Sequence, residues 1–103
     1  MSRSAREEID ALRDRIDDLD ARLVELLSER AQCALQIGEL KRALRTPIYQ
    51  PARERDVLHH VCAVNPGPLD DEAMRRLFER IIDEARRLER VAAGLSATIE
   101  SED

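Results

Sequence analysis

At 103 residues, with 43% hydrophobic and 38% charged positions, one Phe, one Tyr and no Trp, the sequence predicts one aliphatic, helix-rich domain and excludes a large aromatic core. A net charge of −5, with basic residues interleaved among acidic ones, excludes a general nucleic-acid binder, which needs a basic face. No apolar run approaches the length of a bilayer and the opening MSRSAREEIDALRDR has no signal-peptide core, so no membrane association and a cytoplasmic location are expected.

The first forty-odd residues contain no Pro and a single Gly. Their apolar positions, Ile9, Leu12, Ile16, Leu19, Leu23, Leu26, Cys33, Ile37, Leu40 and Leu44, recur at steps of three and four, with position 30 the one interruption. This predicts one helix from about residue 5 to 44, started by Ser4 as N-cap with Glu7 completing a capping box. Such a helix is about 60 Å long, about twice the width of a compact domain of this size. Its seam cannot be buried by its own chain alone, so an intertwined helical homodimer is expected.

Arg30 stands where the apolar register asks for a hydrophobic residue. Its guanidinium needs an anionic partner, either an acidic side chain of a neighbouring helix that sets register or an anionic ligand. Lys41 lies eleven residues on, three turns plus about 20°, and so shares that face about 16 Å along the axis. Two cations at those ends could frame a small dianion; taken alone, Lys41 reads as a solvated charge. Arg13 borders the seam about 25 Å from Arg30, too far to serve the same small ligand within one chain but able to approach the site of a partner chain.

Pro47 and Pro51 then break the helix. Pro51 suits the first position of a second helix, about 51 to 64, with Val57, Leu58 and Val61 facing inward and the charged run Arg53, Glu54, Arg55, Asp56 in its first turns. Asn65, Pro66, Gly67 and Pro68 make the next turn. Asp70 or Asp71 caps a third helix to about residue 93, with Leu77, Phe78, Ile81, Ile82, Ala85, Leu88 and Ala92 as its apolar stripe and Gly94 as its stop. Glu89 interrupts that stripe. A carboxyl there is either desolvated, which favours a neutral hydrogen-bond donor, or is drawn to water or to Arg86 one turn earlier.

Cys33 and Cys62 have no CxxC spacing and read as reduced, packed thiols. His59 and His60 are about 100° apart on a helix, poorly placed to hold one metal, and no metal site is expected.

The segments LRDRIDDLDARLVELLSERAQCALQIGELK, then ARERDVL after a proline-containing break, then MRRLFERIIDEARRLE, resemble the all-helical (AroQ-class) chorismate mutases in their small monofunctional form. The resemblance covers residues 8 to 92. It implies an all-α fold of three helices per chain with a long N-terminal helix, over residues 1–94; the short, polar, acidic stretch at 95–103 is itself expected to be a disordered tail. It also implies a dimer whose sites are each completed by an arginine from the other chain.

The activity implied is the cofactor-free rearrangement of chorismate, a dicarboxylate with an enolpyruvyl ether, to prephenate, by holding the compact conformer and stabilising charge on the ether oxygen. By position, Arg30 and the partner's Arg13 resemble the carboxylate-binding arginines. Lys41 resembles the residue bonding the ether oxygen and a carboxylate, Arg53 and Glu54 the pair in which Glu54 accepts from the ring hydroxyl, and Glu89 the second ether-oxygen donor. Three positions depart from the family pattern: Gln50 where an aspartate is common, Ala85 in place of a serine that helps bind a carboxylate, and Glu89 in place of a glutamine. Other readings on the same residues are a 4-amino-4-deoxychorismate mutase, an isochorismate pyruvate lyase, a mutase homologue needing a partner enzyme, and a non-catalytic helical dimerisation module.

Overall fold

The computed structural model describes residues 4–101 and is all-α, with three helices and no strand among the described residues: α1 (Ala5–Leu44), α2 (Pro51–Ala63) and α3 (Asp71–Ser101). The chain divides into two compact units, Met1–Gln32 and Cys33–Asp103. The described part of the first is the N-terminal stretch of α1 alone. The second holds the end of α1, the proline break, α2 and α3.

In the first unit, the α1 start follows the capping expectation: Glu7 N donates to Ser4 Oγ at 3.2 Å. Glu7 and Glu8 in the first turn complement the positive end of the helix dipole. The apolar row Ile9, Leu12, Ile16, Leu19, Leu23 and Leu26 is exposed throughout, as a lone amphipathic helix with no second element in its unit requires.

In the second unit, α1 ends in a Schellman motif. Arg45 adopts a left-handed backbone (φ 58), Arg45 N donates to Arg42 O at 3.2 Å and Thr46 N donates to Lys41 O at 2.8 Å. Two otherwise orphaned helix carbonyls are thereby satisfied. Pro51 opens α2 at the position where its missing N–H matters least, behind Gln50, whose side chain makes no capping bond.

The α2–α3 turn is organised by Asn65: its amide donates to Leu69 O at 2.8 Å and Asp71 Oδ1 at 3.0 Å, while its Oδ1 accepts from Gly67 N at 3.0 Å. Gly67 (φ 74) occupies the one left-handed position there. Asp70, of the two candidate caps, accepts from Ala73 N at 2.8 Å and starts α3.

α2 and α3 pack together around Val61 and Ile82, with Val57, Leu58, Phe78, Ile81 and Leu88 half-buried beside them. Two expectations for α3 need correction. Leu77 is exposed, on the flank of the stripe that α2 does not cover. The helix does not stop at Gly94 but runs to Ser101, because no proline follows, no described residue after it is left-handed, and a lone glycine lowers helix stability by only about 1 kcal/mol. The last two residues of the acidic tail expected to be disordered lie outside the described residues.

Candidate active site

The second unit draws several of the sequence-singled residues into one place. Lys41, in the last turn of α1, is held from both ends. Its backbone carbonyl receives Thr46 N–H, and its ammonium donates to Ile48 O at 3.1 Å, so the proline break folds back over the lysine. The same ammonium lies 3.8 Å from Glu89 Oε2 of α3, with the two side chains only 16% and 8% exposed. Charge attraction at that burial is strong, but the distance exceeds hydrogen-bond range, and Glu89 Oε2 has no donor. An ammonium has three donors and one is committed to Ile48, leaving others for a ligand oxygen. Glu89 pairs with Lys41 across the fold and not with Arg86 on its own helix.

Gly38, one turn before Lys41, is buried, and a Cβ there would stand 3.3 Å from Glu89 Cγ. The missing side chain is what allows the Glu89 stem to lie against α1. Position 38 carried a readable signal that the sequence reading missed: an isolated glycine inside a helical pattern marks close packing.

Glu54, in the first turn of α2, is half-buried, and its Oε2 lies 3.3 Å from Arg86 Nε of α3. That contact is an ion pair without hydrogen-bond alignment, since Arg86 Nε has no bonded acceptor. Arg86 Nη2 bonds Asp83 Oδ1, and the guanidinium lies 5.0 Å from the centroid of the Tyr49 ring. Gln50 and Ala85 are half-buried in the same unit, whereas Arg53 is exposed beside Arg55 and Asp56. Ile48, Tyr49 and Arg86 complete the surroundings of Lys41 and Glu54 and were not foreseen as site residues.

The first unit holds Arg13, exposed, and Arg30, half-buried on the seam. None of the ion pairs among the described residues involves either arginine. A register-setting partner for Arg30 is therefore not found among the described residues of the chain. Those residues also hold no group of His, Cys, Asp and Glu able to bind a metal ion, and no helix among them is long and apolar enough to cross a membrane.

Chemically, the second unit offers a buried ammonium and a buried carboxyl facing each other with unused hydrogen-bonding capacity, and a second, half-buried carboxylate on α2 paired with Arg86. That set suits binding and polarising a small oxygen-rich molecule.

The chain is 43% identical over 91 residues to the bifunctional chorismate mutase/prephenate dehydratase of Stutzerimonas stutzeri, covering 84% of this chain and 25% of that protein. It is 38% identical over 88 residues to the 4-amino-4-deoxychorismate mutase of Streptomyces pristinaespiralis, covering 84% and 67% respectively. Against the bifunctional relatives the chain spans about a quarter of their length. Among solved structures, chorismate mutase (form II) from Thermus thermophilus superposes with a TM-score of 0.79 at 40% identity, covering 81% of this chain and 94% of that one. Residues 12–90, which include the whole run from Arg13 and Arg30 through Lys41 and Glu54 to Glu89, match the family described as chorismate mutase type II, and to that family this chain belongs.

Proposed function

We propose that the chain is a chorismate mutase, catalysing the rearrangement of chorismate to prephenate in aromatic amino-acid biosynthesis, as a cytoplasmic homodimer. The observation that carries the reading is the buried Lys41–Glu89 pair, a place where one ligand oxygen can meet an ammonium and a carboxyl together. In the rearrangement the ether C–O bond breaks as a C–C bond forms, with no covalent enzyme intermediate. Negative charge grows on the ether oxygen, and donors preorganised in a desolvated site stabilise it more in the transition state than in the ground state.

Lys41 is assigned as one donor to that oxygen and to a substrate carboxylate. Glu89 is the other, in its neutral form. Arg30 and Arg13 of the partner subunit hold the carboxylates in fork geometry, each such bond contributing roughly 1.5 to 3 kcal/mol. Glu54 accepts from the ring hydroxyl, with Arg53 and Gln50 lining the same end, while Ala85 lies where a carboxylate is bound. The exposed apolar row of α1 supports the dimer, since a surface of that kind asks for a partner.

A second reading, 4-amino-4-deoxychorismate mutase, is favoured by the Streptomyces pristinaespiralis relative. The deciding experiment supplies chorismate, 4-amino-4-deoxychorismate and isochorismate separately and identifies the products. Prephenate from chorismate at the highest kcat/KM is the expected result; no loss of chorismate at any pH would overturn the reading.

A further inference from the structure

Arg86 has no part in the reaction as assigned above, yet it is pinned from three directions. Its Nε lies 3.3 Å from Glu54 Oε2, its Nη2 bonds Asp83, and its guanidinium lies over the Tyr49 ring. Its side chain and that of Glu54 are each only 24% exposed, so solvent screens their pairing weakly, whereas Asp83 on the outer flank is 55% exposed and well screened. Arg86 also precedes Glu89 by three residues and so shares its face of α3.

The carboxylate of Glu54 is therefore not a bare anion. A cation stands beside it, it lies in the first turn of α2 where the helix dipole is positive, and the neighbouring Gln50 adds no negative charge. A neutral hydroxyl needs only an acceptor lone pair, which Glu54 still has. An ammonium needs net negative potential, which Arg86 cancels, and it would stand close to a like charge.

On the mutase reading above, we propose that Arg86 is a specificity-determining residue: by neutralising Glu54, it makes the site select a ring hydroxyl over a ring ammonium. It acts through Glu54 and does not itself touch the reacting atoms.

The test measures kcat/KM of the full chain for chorismate and 4-amino-4-deoxychorismate in the wild type, Arg86→Met, Arg86→Lys and the double variant Arg86→Met with Glu54→Gln. The wild type should prefer chorismate, and Arg86→Met should shift the ratio toward the amine by about tenfold or more. Arg86→Lys, which keeps the charge, should hold the wild-type ratio, and adding Glu54→Gln should erase the shift. Loss of folded protein would lower both substrates alike and leave the ratio untouched, so the ratio separates specificity from stability. An unchanged ratio in Arg86→Met overturns the proposal, as does a wild type that prefers the amine, while the mutase chemistry survives both results. Turnover of neither substrate by the wild type would instead overturn the parent reading, and this one with it.

Discussion

Lys41 and Glu89 face each other across 3.8 Å with almost no exposure, close enough to hold each other's charge and too far apart to hydrogen-bond. That gap leaves Glu89 Oε2 without a donor and the ammonium with donors to spare. Removing that carboxyl takes away one hydrogen-bonding group aimed at the ether oxygen, so Glu89→Ala should lower kcat by roughly a hundredfold. Glu89→Gln, whose amide is always a donor, should stay active. Turnover measurements on the wild type and both variants check this, and an unchanged kcat in Glu89→Ala would remove Glu89 from the donor role.

Gly38 is coupled to the same pair. Alanine at a helix interior normally stabilises by about 1 kcal/mol over glycine. Here its Cβ would press on Glu89 Cγ at 3.3 Å and push the carboxyl off its seat. Gly38→Ala should therefore melt no lower than the wild type yet turn over about tenfold more slowly, a misplacement effect. In a Glu89→Ala background the same change should have no further effect on kcat; an equal loss there would mean that Gly38 does not act through Glu89.

Arg45 offers the opposite trade. It holds the left-handed end of α1 at φ 58, where a Cβ is strained and glycine is not. Arg45→Gly should raise stability by roughly 0.5 to 1 kcal/mol, seen as a higher urea midpoint at constant slope, with turnover preserved. A lower midpoint would show that the Arg45 side chain contributes more than its backbone strain takes away.

Arg30 separates an enzyme from an assembly module. Arg30→Ala should lower kcat/KM by roughly a hundredfold through loss of a bidentate carboxylate contact, with the oligomeric state by sedimentation unchanged. A change of assembly with little change of rate would identify Arg30 as a register device of the helix seam instead.

The helices were readable because their punctuation is local. Ser4, Pro51 and Asp70 each act within a turn of their own position, and α1 begins and ends at the expected residues. Gly94 misled because a glycine ends a helix only when a left-handed residue is needed there, and the chain beyond it is content to remain helical. In the site, periodicity placed Lys41 and Glu89 each on a face, but it carries no information on which faces meet. The i, i+3 rule offered Arg86 to Glu89, whereas packing of α2 on α3 gave Arg86 to Glu54. The exposure of Leu77 has the same origin, since the width of a stripe does not tell how much of it a short partner helix covers.

The fold-back of the proline break onto Lys41 has one more consequence. The backbone of Thr46 and the carbonyl of Ile48 set where the lysine ends, so this connector is dimensioned by its spacing and not by its side chains. Residues 45–48 should tolerate side-chain exchange at their exposed positions but not the gain or loss of a single residue. An insertion there would act as though it were a substitution of the lysine itself.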